Sequence, residues 1–163
     1  IANGDWSSDV CSSDLVIGMF LGQTVNLIDE KNRLVLPTRY REELGYSFYM
    51  VLDFDKCLSF YPSEIYKKKA EKINSLDDFS SAARSVKRVF FANSFDLSMD
   101  KQGRIQLPKI MTDKVGIKKE VVVVGMSDHL EIWDSEVYRN NEVNEEDNYS
   151  TLASELIGGN YGK

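Results

Sequence analysis

The chain has few of the residues that build metal centres, disulfides or nucleophilic active sites. It contains two cysteines, Cys11 and Cys57, and a single histidine, His129, in 163 residues. The cysteines lie far apart and without the short spacing of zinc ligands, so neither a disulfide nor a zinc site is predicted. We therefore expect inert thiols, no metal and no cofactor.

Long apolar runs are also absent. No stretch approaches the roughly 20 apolar residues that cross a bilayer, and the first residues have neither the basic start nor the apolar segment of a secretory signal. Hydrophobic residues nevertheless make up 42% of the chain, enough to bury one compact core. These features favour a folded cytoplasmic protein that does not contact a membrane.

An enzyme is not predicted, because no catalytic set of residues can be assembled. The sequence offers one histidine, no serine or cysteine in the setting of a nucleophile, and no phosphate-binding loop. The adjacent acids Asp29 and Glu30 are better explained by a turn than by acid–base chemistry.

Net positive charge, the usual sign of nucleic-acid binding, is missing from the chain as a whole. The formal net charge is −6, but acidic residues are concentrated at 1–18 and 141–163. Between them, residues 19–140 carry 19 basic and 18 acidic groups. A nearly neutral domain can bind DNA only where its positive side chains gather on one face, and one copy should then bind weakly.

The sequence contains one ten-residue pattern twice. Ile28–Pro37 returns as Met99–Pro108, with an Asp, an Arg, a Leu and the Pro repeated 71 positions later. The flanks also repeat, since Gly45 corresponds to Gly116 at the same offset. This is an internal duplication. Two equivalent sets of short strands, neither able to bury its apolar face alone, should interlock.

Each copy of the pattern predicts a tight turn between two short strands. Asp29 and Asp100 can accept backbone N–H bonds across such a turn. Asn32 and Gly103 stand where a positive φ is needed, and these two residue types adopt it most readily. Asp29, Asn32, Asp100 and Gly103 are therefore assigned as turn-forming residues.

Short helices are predicted after each turn and between the two copies. On one linker helix Arg84, Lys87 and Arg88 share a face, which is either a solvated surface or a phosphate contact.

Because Met19-Phe20-Leu21-Gly22 resembles a chain start, the residues before it are expected to be disordered and not native. The predicted division is a leader at 1–18, repeat 1 at 23–67, a helical linker at 68–93, repeat 2 at 94–138 and an acidic flexible tail at 139–163.

The repeated pattern and its neighbours resemble the MraZ family of bacterial transcriptional regulators, which contain two tandem SpoVT-AbrB-type modules marked by Asp-x-x-x-Arg. The resemblance covers nearly all of residues 19–138. It rests on Met19-Phe20-x-Gly22, Asp29–Arg41, Cys57-Leu58-x-Phe60-Tyr61-Pro62, Asp100–Pro108 and Leu130-Glu131-Ile132-Trp133. Two positions depart from the family pattern, because Leu21 stands where many members carry Arg and Asn32 where the first motif usually has Gly.

The resemblance implies an α+β fold in which the repeats form a pseudo-twofold, swapped-hairpin (AbrB/MazE-like) double-split β-barrel with short flanking helices. It also implies a homo-oligomer, a ring in family members, that binds double-stranded DNA. The expected sites are short direct repeats in the promoter of the bacterial cell-division and cell-wall gene cluster. Such a regulator, usually a repressor, would be cytoplasmic and nucleoid-associated.

Alternation along the strands assigns the basic residues. If Leu34 faces the core, Arg33 points outward, and Ile105 likewise turns Arg104 outward. The planar guanidinium can hold a guanine edge or a phosphate with two hydrogen bonds, which lysine cannot do. The predicted DNA contacts are Arg33, Arg104, Lys31, Lys101, Arg39 and Arg41.

Two alternatives remain open. Each arginine could simply pair with the aspartate of its own turn, and this pairing could also orient the arginine towards DNA. The same fold could also serve an antitoxin-like protein-binding module without specific DNA binding. Such a module would bind its partner through a long disordered tail, for which this chain offers only Asn141–Lys163.

Overall fold

The computed structural model describes residues 18–158. The predicted leader therefore lies outside the described residues except for Gly18, and so does Cys11. The described part of the chain is an α+β protein with an antiparallel sheet. Its elements are β1 Gln23–Leu27, β2 Arg33–Val35, α1 Thr38–Leu44, β3 Ser47–Leu52, β4 Leu58–Pro62, α2 Ser63–Asn74, α3 Ser81–Ala92, β5 Ser94–Ser98, β6 Arg104–Gln106, α4 Lys109–Lys114, β7 Glu120–Gly125, β8 Leu130–Asp134 and α5 Ser135–Ile157.

The two repeats exchange their first strands. Six strands form one antiparallel sheet in the order β1-β7-β8-β4-β3-β5, so β1 of the first repeat pairs with β7 of the second. In return, β5 of the second repeat pairs with β3 of the first. Within residues 18–158 this order is open, with β1 and β5 at its edges, so hydrogen bonding does not close the strands into a ring.

A second, two-stranded sheet joins the repeats again. Strands β2 and β6 pair antiparallel, with Leu34 opposite Ile105. Neither strand pairs within its own repeat, apart from the single bridges Ile28 to Leu34 and Met99 to Ile105. The β2–β6 ribbon is therefore built from one strand of each copy, and it exists only when both copies are folded together.

Both repeats contribute to one hydrophobic core. Leu34 and Leu36 of the first copy and Ile105 and Leu107 of the second are at most 1% exposed. Burying a side chain of this size contributes about 1.5 to 3 kcal/mol, so the shared core supplies much of the folding free energy. Other members from both copies are Phe20, Tyr40, Phe48, Met50, Phe60, Met111, Val121, Val123, Leu130 and Ile132.

The linker helices α2 and α3 cover one face of the sheet. Phe90 of α3 is buried with Val51 and Tyr61 in a smaller apolar cluster. The Tyr66 ring of α2 stacks against Phe90, with ring centroids 5.8 Å apart. On the basic face of α3, Arg84 Nη1 donates to the Asp78 carbonyl at 2.9 Å, and Lys87 also contacts Asp78. Arg84 and Lys87 of this face therefore bind the loop that precedes α3.

Cys57, immediately before β4, is completely buried. Burial raises the pKa of its thiol far above the ordinary value, which favours the unreactive protonated form.

The tail differs from the flexible segment expected from the sequence. Residues Ser135–Ile157 form one continuous helix, α5. Its start is stabilised by Asp134, whose side chain accepts the N–H groups of Glu136 and Val137. The sequence pattern missed this helix because its apolar residues do not follow a clear helical period, and most of them, such as Leu156, are exposed. Among the helices of residues 18–158, α5 included, no helix is long and apolar enough to span a membrane.

The strand exchange predicts that neither repeat folds alone as a monomer. We expect the separate segments 19–80 and 81–158 to lack cooperative thermal unfolding, because each would lose the strand that the other copy supplies. Mixing them should restore the far-ultraviolet circular dichroism and the unfolding transition of the full chain. A single segment that sediments as a monomer and unfolds cooperatively would contradict this prediction.

Candidate nucleic-acid interface

The two turns have the same backbone geometry. Asp29 Oδ1 accepts the N–H groups of Lys31 and Arg33, both at 2.9 Å. Asp100 Oδ1 accepts the corresponding N–H groups of the second turn at the same distance. The residue before each arginine has a positive φ, 62° at Asn32 and 79° at Gly103. Each aspartate thus holds a turn that only a residue tolerant of the left-handed region can complete.

The same aspartates also bind the arginine side chains. Arg33 Nε lies 2.7 Å from Asp29 Oδ2, and Arg104 Nε lies 2.6 Å from Asp100 Oδ2. The pairing considered as an alternative is therefore present in both copies. The four side chains are partly exposed, between 26% and 40%, so each pair contributes little to stability. Its main effect is to fix the direction of the guanidinium group, and in the second copy Arg104 Nη2 also donates to Gln102 Oε1 at 3.3 Å.

The turns keep both aspartates ionised. For Asp100, the hydrogen bond from the Arg104 backbone N–H has the largest effect and lowers the pKa; burial raises it by less, and the Arg104 side chain and Gln102 N–H lower it further, so the net shift is downward. For Asp29, burial raises the pKa, but the hydrogen bonds from Arg33 and Lys31 outweigh it and the net shift is downward. Each arginine is therefore paired with a charged carboxylate at neutral pH.

The β2–β6 register places the two arginines on one surface. Arg33 is opposite Gln106, and Arg104 is opposite Val35. Residues opposite each other in an antiparallel pair point to the same side, so these four side chains form the outer face, while Leu34 and Ile105 point into the core. Arg33 and Arg104 are diagonal neighbours, a relation that typically separates Cα atoms by about 7 to 8 Å.

The lysines and the arginines of α1 differ in how far they are engaged. Lys31 and Lys101 are exposed at the turns. Arg39 lies over the Tyr40 ring at 4.7 Å and donates to the Tyr40 hydroxyl at 3.0 Å. Arg41 Nε donates to the Leu36 carbonyl at 2.7 Å. Both α1 arginines therefore have partners within the fold, and the partner of Arg41 is a main-chain carbonyl.

Arg41 also packs against the turn of the other repeat. A Cβ atom added at Gly103 would lie 2.5 Å from Arg41 Cζ, so the guanidinium occupies the space that the glycine leaves open. In the other copy the sizes are reversed. Asn32 stands at the position of Gly103, and the small Thr112 stands at the position of Arg41.

Hydrogen bonds show the same exchange. Asn32 Nδ2 donates to the Leu107 carbonyl at 2.8 Å and to Thr112 Oγ1 at 3.2 Å. The Leu36 carbonyl, which corresponds to that of Leu107, is instead satisfied by Arg41. The equivalent carbonyl is therefore bonded by Asn32 in one copy and by Arg41 in the other. In each copy the larger residue fills the space left by a small one, because Asn32 lies beside Thr112 and Arg41 beside Gly103.

Two residues of the outer face were missed from the sequence. Val35 is 41% exposed between the arginines. Gln106 is also exposed, and its Nε2 donates to the Lys31 carbonyl at 2.7 Å. Alternation along each strand could have placed both residues outward, but their position beside the arginines depends on the pairing of β2 with β6. The sequence does not show that pairing.

The two motifs carry equal formal charge. Residues 29–41 contain four basic and two acidic side chains, and residues 100–112 contain three and one, so each segment has a net charge of +2. Each motif, with the helix that follows it, thus carries local positive charge within an almost neutral domain, although the linker helices are also basic. This is the arrangement that a nucleic-acid contact requires.

The comparisons with known proteins give one consistent result. A family sequence model described as "MraZ protein, putative antitoxin-like" matches the chain twice, at residues 19–89 and 90–159. A protein named transcriptional regulator MraZ, from Finegoldia magna, is 36% identical over 138 residues, which cover 85% of this chain and 96% of that protein. Another of that name, from Syntrophomonas wolfei subsp. wolfei, is 33% identical over 139 residues, covering 85% and 97%.

The compensation at Gly103 can be tested by a double-mutant cycle. Gly103→Asn should lower the free energy of unfolding by about 1 to 2 kcal/mol, because Arg41 must leave the Leu36 carbonyl. Adding Arg41→Thr, which reproduces the pair of the other copy, should recover at least roughly 0.5 kcal/mol relative to the sum of the single changes. Urea unfolding of the four proteins measures both quantities.

The control for this cycle is Gly116→Asn. Gly116 also has a positive φ, 72°, but a Cβ there would meet nothing within 4 Å. It therefore reports the cost of the backbone conformation alone. Equal losses at Gly103 and Gly116, with no coupling to Arg41, would contradict the compensation.

Proposed function

The chain belongs to the MraZ family, and on that premise we propose that it is a DNA-binding transcriptional regulator, and not an enzyme, whose β2–β6 ribbon contacts DNA. The observation that carries this proposal is the pair of arginines on the outer face, each oriented by the aspartate of its own turn. The names of the two relatives support the regulatory role.

The ribbon suits a major-groove contact. That groove is about 12 Å wide and admits a two-stranded β-ribbon. Because Asp29 binds Nε, the Nη atoms of Arg33 remain available for a guanine edge or a phosphate. Arg104 Nη2 donates to Gln102 Oε1 at 3.3 Å, so this exposed glutamine would have to give way for Arg104 to make the same contact. Such a bidentate contact contributes roughly 1 to 3 kcal/mol.

The other basic residues have supporting roles in this proposal. Lys31 and Lys101 are exposed beside the arginines and would neutralise phosphates on either side of the groove. Arg39, on the exposed surface of α1, would make a further phosphate contact. Arg41 would act mainly by supporting the turn at Gly103, since its Nε is bonded to the Leu36 carbonyl.

The reciprocal exchange of strands supports the barrel fold that the family resemblance implies. A swapped-hairpin, double-split β-barrel requires each repeat to place its first strand on the other and to share a central strand pair. The pairings β1–β7, β5–β3 and β2–β6 follow that plan. In this fold the two copies of one chain form the pseudo-twofold unit.

Binding should be multivalent. One nearly neutral subunit offers two such arginines, which is too little for tight specific binding. Several subunits on one homo-oligomeric ring, meeting several short direct repeats, would raise the affinity by about a hundredfold to ten-thousandfold without a new contact. Exposed apolar residues along edge strand β1 and before it, namely Met19, Leu21, Val25 and Leu27, are each at least 58% exposed and suit a subunit contact.

The proposed targets are direct repeats in the promoter of the cell-division and cell-wall gene cluster, with repression as the outcome. The protein would then act in the cytoplasm on the nucleoid.

The competing function is an antitoxin-like module that binds a protein. The exposed apolar residues of α5, such as Tyr149 and Leu156, favour that reading. A stoichiometric protein partner recovered from lysate, together with no retention on promoter DNA, would support it.

Removing either motif arginine should weaken binding to promoter DNA. Arg33→Ala and Arg104→Ala, made separately, are each expected to reduce affinity about 5- to 100-fold through loss of one bidentate contact. The oligomer and its melting temperature should not change, because the exposed ion pairs contribute little to stability. Fluorescence anisotropy with labelled promoter DNA measures the affinities.

The matched control is Arg139→Ala, which removes an exposed arginine of α5 that is likewise paired with a carboxylate, since its Nη2 lies 2.8 Å from Glu120 Oε2. It should change affinity by no more than about twofold, the size expected for a distant screened charge. Unchanged affinity in both Arg33→Ala and Arg104→Ala would remove the ribbon from the proposal.

The number of repeats in the DNA tests the multivalent arrangement. DNA with one, two or three direct repeats should bind with increasing affinity, by about tenfold or more for each added repeat. Native mass spectrometry of the same samples gives the subunit number. The multivalent arrangement is wrong if one repeat and three repeats bind equally well.

A further inference from the structure

A cluster of metal-binding groups lies outside the β2–β6 ribbon, where the two repeats meet. Asp53 follows β3 of the first repeat, whereas His129 and Glu131 belong to the β7–β8 hairpin of the second. One possible ligand atom from each residue lies within 4.8 Å of the other two. We propose that Asp53, His129 and Glu131 bind one divalent transition-metal ion, of the zinc class, between the repeats.

Strand pairing brings these distant residues together. Strands β4 and β8 are neighbours, and Ser59 of β4 is directly opposite Glu131 of β8. The Ser59 hydroxyl donates to Asp53 Oδ2, so it holds that carboxylate beside the strand pair. Asp53 and Glu131 are thus placed on the same side by one serine, although they are far apart in the sequence.

Each ligand is oriented by a neighbouring group, as metal ligands usually are. Trp133 Nε1 donates to Glu131 Oε1 at 2.9 Å, which leaves Oε2 free of hydrogen bonds to residues 18–158. The Tyr61 hydroxyl donates to Asp53 Oδ2 at 3.2 Å, and the Tyr61 ring stacks on His129 with centroids 4.6 Å apart. These contacts fix the two carboxylates and the imidazole plane before any ion binds.

His129 is prepared for binding through one of its ring nitrogens. Nδ1 lies 2.7 Å from Asp128 Oδ1. When Nδ1 carries the proton that Asp128 accepts, Nε2 keeps a free lone pair. A carboxylate bonded to the far nitrogen of a histidine is a recurrent support of metal-bound imidazole.

The charge around the cluster favours a cation. Four carboxylates lie in this region, from Asp53, Asp55, Asp128 and Glu131. Among residues 18–158, the lysine in ionic contact with them is Lys69, whose Nζ is 3.9 Å from Asp53 Oδ1. A divalent ion would offset much of the remaining negative charge.

The donor set selects the class of ion. One imidazole nitrogen and two carboxylate oxygens, completed by water, suit zinc and related transition metals better than magnesium or calcium, which prefer oxygen ligands alone. A cavity of about 440 Å³ borders His129, Asp128 and Tyr61 and reaches the cluster at His129. Lys68, Lys69 and Lys72 also line it, so an ion that enters must pass their positive charges.

The test uses the full chain after removal of metal with a chelator. Titration with zinc chloride near neutral pH, followed by calorimetry, should give one ion bound per chain. A hundredfold excess over Kd should raise the melting temperature by about 5 to 10 °C. Cobalt(II) in place of zinc should give visible absorption bands that saturate at one equivalent.

Variants locate the ion. Glu131→Gln keeps an acceptor for Trp133 but weakens the ligand, and His129→Ala removes one, so each should lower zinc affinity about tenfold or more. Asp55→Asn removes a nearby negative charge without removing a ligand, and should leave affinity within about twofold. Circular dichroism of the metal-free variants checks that they are folded.

Two results would overturn the proposal. The first is a metal-free chain that takes up no stoichiometric zinc. The second is zinc binding that survives both Glu131→Gln and His129→Ala, which would place the ion elsewhere in the chain. Neither result bears on DNA binding by the ribbon.

Discussion

The fold depends on one constraint, which is that neither repeat can complete its own sheet. Strand β1 finds its partner in β7 and strand β5 in β3, so the hydrogen bonds that satisfy one copy come from the other. The core forms only across this exchange, because Leu34 and Ile105 meet at its centre. The outer face depends on it as well, since each copy supplies a single strand and a single motif arginine to the β2–β6 ribbon.

Local spacing was enough to predict the parts of the interface that lie within one turn. The burial of Leu34 and Ile105 follows from alternation, and it turns Arg33 and Arg104 outward by geometry alone. Contacts between the copies were beyond such reasoning. Arg41 was assigned to DNA, but its packing against Gly103 depends on a three-dimensional arrangement that no periodicity reveals. Helix α5 was not predicted because it is largely exposed and lacks the apolar stripe by which helices are identified from sequence.

The same limit explains the candidate metal cluster. The sequence argued against a metal from the spacing of Cys11, Cys57 and His129, which is the correct test for ligands that lie close along the chain. The groups that the structure brings together are Asp53 and Glu131, because Ser59 of β4 is opposite Glu131 of β8 and also binds the Asp53 carboxylate. Carboxylates are common, and their spacing along the sequence does not reveal a metal site. Only the strand pairing shows that these two lie close together.

The inequality of the two copies gives the ribbon a direction. A ribbon formed by two identical chains would look the same when rotated by half a turn, and it would suit a palindrome. Here Arg33 has Gln106 as its neighbour across the strands, whereas Arg104 has Val35. The two ends of the ribbon therefore differ, with an amide at one and a methyl-bearing side chain at the other. If the ribbon contacts DNA as proposed, such a surface would distinguish one strand polarity of DNA from the other, and successive sites would have to point the same way.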